Sequence, residues 1–236
     1  MLVVLRAGDA VPNVAERRGD FFRLIREGVG EAWGAAWREI DIRDEATPLP
    51  DPSDASGFIV TGSASSVTER APWMLRTEAW LREATASNVP ILGICFGHQM
   101  LAQALGGRVT KNPRGREIGT VTVRLEPRAK ADPLFGGLPD EIHANATHVD
   151  SVAEPPKDAE LLATTSLDDF AAFRVKRAWG VQFHPEIDGD VMRVYLTTRR
   201  TLIEGEGLPW DEMFASVKDA PYAMGVMRAF ARAIGR

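Results

Sequence analysis

The sequence predicts an α/β protein: a three-layer sandwich with a mixed, mostly parallel central sheet and a helical appendage at the C-terminal end. Three observations predict it. Through the first hundred residues, short and fully apolar runs alternate with amphipathic stretches, as buried parallel strands and their covering helices do. Past Gly107 the apolar pattern changes to period two, which suits antiparallel strands with one wet face. A helical periodicity then closes the chain. With 236 residues, 44% of them apolar, the chain can bury a substantial core in one domain over 1–200, with 201–236 as an extension packed on it.

Leu2 to Leu5 reads as the buried first strand, and a helix is expected from about Pro12 to Val29. Within it Phe21, Leu24, Ile25 and Val29 recur at i, i+3, i+4 and i+8, and Gly28 and Gly30 mark its end. Trp37 to Ile42 is the second strand, and Gly57 to Val60, after a proline-rich turn, is the third. Pro72 suits the first position of the next helix, whose stripe is Trp73, Thr77, Trp80, Leu81 and Ala84. A fourth strand, Val89 to Leu92, leads into a glycine-rich turn and a helix over Gln99 to Leu105. Alternation over Thr120–Leu125 and Ala172–Arg177 predicts the antiparallel excursion, before an apolar strand at Trp179–Phe183. Met227, Phe230, Ala231 and Ile234 make a terminal amphipathic helix, which either docks on the domain's own surface or offers a homodimer contact.

The bulk numbers exclude several classes. A net charge of -5 without a Lys/Arg tract gives no footprint for nucleic acid, and Arg17-Arg18 and Arg199-Arg200 read as solvated helix faces. No apolar run approaches the roughly 20 residues that span a bilayer, and the N-terminus has no secretory pattern. One cysteine rules out an intrachain disulfide framework and suits a reducing, cytoplasmic setting. No metal-ligand spacing, phosphate loop or dinucleotide fingerprint is present, so no cofactor is expected.

That cysteine, Cys95, lies in Gly93-Ile94-Cys95-Phe96-Gly97-His98-Gln99, between an apolar strand and a helix. Such an elbow puts the sulfur at a helix N-terminus, where the dipole and free N–H groups favour the thiolate, the reactive form. Far downstream, His184-Pro185-Glu186 follows an apolar strand. His184 can exchange a proton with the thiol and a leaving amine, and Glu186 can hold the ring's other nitrogen. Attack on an amide creates an oxyanion that needs preorganised donors. The N–H of Phe96 is one candidate, and the N–H of Gly62 or Ser63, in Val60-Thr61-Gly62-Ser63, is the other. His143, on an apparent strand, reads as a sheet residue, and His148 with Asp150 as a pair near the substrate.

Together, Thr61-Gly62-Ser63, the cysteine elbow, Thr147-His148-Val149-Asp150 and His184-Pro185-Glu186 resemble the class I, triad-type glutamine amidotransferases, in the family's order over residues 61 to 186. The resemblance implies a flavodoxin-like domain that cleaves glutamine to glutamate and ammonia through a γ-glutamyl thioester. By match, Cys95, His184 and Glu186 become nucleophile, base and orienter. Gln99, Thr147 and His148 become substrate contacts, and His98 packs away from the site. The His-Gln pair and the Thr-His-x-Asp segment are most similar to the GMP-synthetase-type branch. Departures are the single glycine of Thr-Gly-Ser, Val149 where synthetase members commonly carry glycine, and the lack of a downstream pyrophosphatase segment. They leave two alternatives: a γ-glutamyl peptidase, and a glutaminase subunit that works only with a separate synthetase or acceptor partner.

Overall fold

A computed structural model describes residues 1–235, so only the last residue of the predicted 201–236 extension lies outside it. Five strands form the parallel part of one nine-stranded sheet: β1 (Leu2–Arg6), β2 (Trp37–Asp41), β3 (Gly57–Val60), β4 (Ile91–Ile94) and β11 (Ala178–Val181). Their order in space is β2-β1-β3-β4-β11, the doubly wound arrangement whose ligands sit beyond the carboxyl ends of the strands. The sheet continues through β10 (Ala172–Val175), β9 (Glu160–Thr164), β6 (Glu117–Leu125) and β7 (Glu141–His148), each antiparallel to its neighbour. The predicted mixed sheet, with its antiparallel excursion before the His-Pro-Glu strand, is therefore present. A two-stranded ribbon of β5 (Arg108–Lys111) and β8 (Asp150–Glu154) stands apart.

Alternation along β1 sorts the core into two layers. Leu2 and Val4 face one apolar cluster with helices α1 (Pro12–Arg18), α2 (Phe21–Val29) and α5 (Gly189–Thr198). Val3 and Leu5 face the other, with α3 (Pro72–Ala86) and α4 (Phe96–Ala104). The remaining helices are α6 (Arg200–Gly205), α7 (Trp210–Ala215) and α8 (Pro221–Ile234). The stripe of α8 is covered within the chain: Phe230 is fully buried and meets Trp179 edge-on at 6.1 Å. Burying a side chain of that size contributes about 1.5–3 kcal/mol. No helix among the described residues is long and apolar enough to cross a membrane.

The structure departs locally from the sequence reading. The helix expected over 12–29 is two helices. Gly19, at φ 89°, ends the first, and the Asp20 side chain caps the second by accepting from Arg23 N at 2.9 Å. The strand expected to reach Phe183 stops at Val181, because His184 N turns to donate to Asn145 O at 2.8 Å. The helix after the elbow starts three residues early, at Phe96.

Candidate active site

Cys95 stands between the end of β4 and the first turn of α4, with φ 51° and ψ -101°. A non-glycine residue there costs about 1–3 kcal/mol and persists only where its surroundings hold it. Cys95 N donates to Val181 O at 2.8 Å, and Gln99 N donates to Cys95 O at 3.0 Å. The turn also needs close backbone approach: a Cβ on Gly97 would lie 2.4 Å from Val60 O, and one on Gly93 equally near Gly97 O. The Cys95 side chain is buried, and its Sγ faces the Thr147 carbonyl at 4.0 Å.

His184 and Glu186 lie just past β11, both buried, with Nδ1 and Oε1 2.7 Å apart. Glu186 Oε2 has no hydrogen-bond partner among the described residues. Phe21, at the start of α2, stacks on the imidazole at 6.2 Å and 19°. On the ring's edge, a Cβ on Gly62 would come within 2.9 Å of His184 Cε1 and 3.8 Å of Cys95 Cβ, so this turn must be glycine. Burial works against a charged imidazole, but the negative charges of Glu186 and Cys95 outweigh it and push His184 up to about 10. Burial likewise raises the thiol, yet the positive charge of His184 prevails and holds Cys95 below its ordinary value.

The other side of Cys95 comes from the antiparallel half of the sheet. β7 runs on to His148, and in register Glu117 of β6 lies opposite it. His148 Nε2 is 2.9 Å from Glu117 Oε2, and its Nδ1 is 2.9 Å from the Asp150 carbonyl. Two acceptors call for two N–H donors, so the ring fits as a cation. Burial opposes that charge, but the hydrogen bond to Glu117 outweighs it and raises the pKa of His148. Glu117 Oε1 also accepts from the Thr165 hydroxyl at 2.6 Å. Gln99 Nε2 donates to Asp150 O at 2.7 Å and to Gln182 Oε1 at 3.1 Å, tying α4 to this segment. The N–H groups of Gly62, Ser63 and Phe96 donate to no described residue.

Two small cavities meet here. One, of about 210 Å³, is lined by Cys95, Ser63, Gln99, Thr147, His148 and Arg199. The other, of about 200 Å³, is lined by His184, Phe21, Tyr195 and Arg199. A larger groove of about 470 Å³ between α1 and α5 holds neither cysteine nor histidine. Every predicted site residue thus falls at one place. His98 packs away as expected, fully buried on Phe173 at 4.9 Å, and burial pulls its pKa down to about 3. His143 is an exposed strand residue.

Sequence reasoning missed Glu117, Gln182 and Arg199. The first two acquire their neighbours through strand register and chain reversal, which leave no local pattern. Arg199 is a correction: the Arg199-Arg200 pair is not a solvated face. Arg200 is exposed and pairs with Glu204, whereas half-buried Arg199 donates to Thr147 Oγ1 at 2.7 Å. Its position one residue after α5, on the chain's return toward the strand ends, was the available signal.

Comparison with known proteins shows the family. The family profile described as glutamine amidotransferase class-I matches residues 35–200. The chain belongs to that family. A gamma-glutamyl peptidase of Arabidopsis thaliana is 30% identical over 166 residues, 69% of this chain and 65% of the peptidase. The glutamine-hydrolyzing GMP synthase of Staphylococcus aureus is 37% identical over 133 residues, 56% of this chain. The chain thus spans just under two thirds of the peptidase, and the match covers 24% of the synthase. A glutamine amidotransferase of Thermotoga maritima superposes with a TM-score of 0.76 over 99% of this chain and 97% of its own, at 21% identity, a likeness of fold. The flavodoxin-like domain expected of the family is the fold observed.

Proposed function

We propose that the chain is a cysteine-dependent amide hydrolase that cleaves the γ-amide of glutamine, or a closely related γ-glutamyl amide, to glutamate and the free amine. One observation carries the reading: a buried Cys95 on a strained elbow faces a buried His184–Glu186 pair, with unpaired backbone N–H groups around it. Cys95 Sγ attacks the γ-carbon, and the oxyanion takes the N–H groups of Phe96 and of Gly62 or Ser63. The C–N bond breaks as His184 Nε2 gives its proton to the departing nitrogen, leaving a thioester on Cys95. Water then attacks the thioester, losing its proton to the same nitrogen, and glutamate leaves as the thiolate returns. Glu186 keeps Nδ1 protonated, so that Nε2 is the nitrogen that works. The glutamyl end lies in the cavity formed by Gln99, Thr147 and His148. The scheme needs no metal or organic cofactor, and the single cysteine suits the reducing cytoplasm.

Ammonia and glutamate release from glutamine by the purified chain tests this, with Cys95→Ala as control. Hydrolysis that the substitution abolishes supports the assignment; equal release by the variant overturns it. The similarity to GMP synthase favours a second reading, in which a separate synthetase subunit uses the ammonia. In that case the isolated chain is nearly idle and gains activity when such a subunit is added.

A further inference from the structure

The space beside His184 is larger than ammonia needs. The departing nitrogen must come within hydrogen-bond reach of the imidazole that protonates it. It therefore leaves toward the cavity that His184 lines, and Cys95 lines the other one. Ammonia is about the size of water, whose share of the liquid is about 30 Å³, and this cavity offers about 200 Å³. Its wall at Ala10, Val11 and Phe21 is apolar, Asp9 also lines it with its carboxylate held by Arg43, and Arg199 stands where the two cavities join.

Arg199 is incompletely used by the protein. One guanidinium nitrogen donates to Thr147 Oγ1 at 2.7 Å, and its central carbon lies 5.4 Å from the centre of the Tyr195 ring. Among the described residues it has no carboxylate partner, although the other charged groups nearby do: Arg116 is held by Glu206 at 2.8 Å, and Asp9 by Arg43 at 2.6 Å. A guanidinium offers five N–H donors in a planar fork that matches a carboxylate, and a half-buried one gains from such a partner.

We propose that the cavity beside His184 is a leaving-group chamber for an amine that carries a carboxylate, with Arg199 recognising that carboxylate. The substrate class is then a γ-glutamyl amino acid or short γ-glutamyl peptide with a free C-terminus and a small apolar side chain. This rests on the amide hydrolase reading above and names the amine half of its substrate. In the acylation step the S–C bond forms, the C–N bond breaks, the His184 proton moves to the nitrogen, and the amino acid leaves as a free amine.

The test compares γ-glutamyl-alanine with γ-glutamyl-alaninamide, which differ only in the carboxylate, and includes glutamine. The expected wild-type kcat/KM is about tenfold or more higher for the free acid, as for one charged hydrogen-bonded contact. Arg199→Gln brings the acid-to-amide ratio close to 1, chiefly through KM. A merely structural role for Arg199 lowers both rates and leaves the ratio alone, which overturns the assignment. Ala10→Leu, which fills the chamber, lowers the dipeptide-to-glutamine ratio; an unchanged ratio counts against the chamber. Equal wild-type rates on acid and amide also overturn it, with the hydrolase reading intact. Cleavage of none of the three by the isolated chain overturns the chamber and the stand-alone hydrolase reading together.

Discussion

Cys95 is flanked by two buried histidine–glutamate pairs, and they are built and satisfied differently. His184 and Glu186 come from one tripeptide past β11. His148 and Glu117 come from two strands placed opposite each other by the register of β6 and β7. In the second pair both imidazole nitrogens and both carboxylate oxygens are occupied. In the first, Glu186 Oε2 has no described partner, a deficit of about 1–3 kcal/mol for a buried group. A saturated network holds one arrangement and resists change. On the mechanism proposed above, the difference amounts to a division of labour: the local pair would move a proton, and the register-built pair would support a wall of the cavity beside Cys95 and lend it a fixed positive charge.

The largest effect expected from that division is on rate. His184→Ala should lower kcat for glutamate release by about 10⁶-fold, as loss of a triad histidine does. His148→Ala should lower it by about 10- to 100-fold, the scale of one charge-assisted contact. Steady-state assays of both variants at one pH decide the matter. Equal losses would mean that His148 also takes part in proton transfer, and the comparison would break.

The pH dependence sharpens the same contrast. The pKa of Cys95 is depressed, so the thiolate is present above it and is lost as the pH falls through it. That of His184 is raised to about 10, so the ring proton is present below that value and is lost as the pH rises through it. Acylation needs both, and the profile should be a bell. Alkylation of Cys95 by iodoacetamide should therefore begin below the free-cysteine value of about 8.5. In His184→Ala the opposing charge is gone while burial stays, and the onset should move above that value. In His148→Ala it should move upward by less. An onset unchanged in His184→Ala would remove the ion-pair account.

Stability should reverse the order of the two flanks. Glu117→Gln breaks a saturated buried pair and should cost about 3 kcal/mol. The sign with pH follows from His148, whose pKa is raised in the folded state. The pairing is fully present below the unfolded value of about 6.5 and is lost as the pH rises through the folded one. The stability gap between wild type and Glu117→Gln should accordingly narrow in alkali. Glu186→Gln should cripple turnover and cost less stability than Glu117→Gln, because it disturbs one buried bond, to His184, where Glu117→Gln disturbs two, and its second oxygen already lacks a partner. A large loss of stability there would show that the local pair also holds the fold.

The same asymmetry explains what was legible in the sequence. The strands β1, β3 and β4 announce themselves by runs such as Leu2-Val3-Val4-Leu5, and Cys95 by the small residues its turn requires. His184 and Glu186 are two positions apart in the chain and could be read together. Glu117 could not, because nothing in the string links it to a residue 31 positions away until β6 and β7 pair. Arg199 was hidden by its neighbour: two consecutive arginines read as solvated, and only the end of α5 turns one inward. The break at Gly19-Asp20 left no mark in the stripe, because Phe21, Leu24, Ile25 and Val29 all lie within the second helix.

The smallest effect lies at the outer edge of the register-built flank. The Thr165 hydroxyl donates to Glu117 Oε1 and accepts the N–H groups of Leu167 and Asp168 at 3.2 and 2.9 Å. Thr165→Val keeps the shape and removes these bonds, at a cost of about 1–2 kcal/mol. For a chain of this size each kcal/mol shifts Tm by about 2–4 °C. Turnover at neutral pH should stay within about twofold of wild type, because Glu117 Oε2 still faces His148 and the cation persists. A fall in rate as large as that of His148→Ala would mean that charge at His148 depends on the whole chain of bonds back to Thr165. The second flank would then act on the thiol as one unit, and its separation from the catalytic pair would be a matter of distance alone.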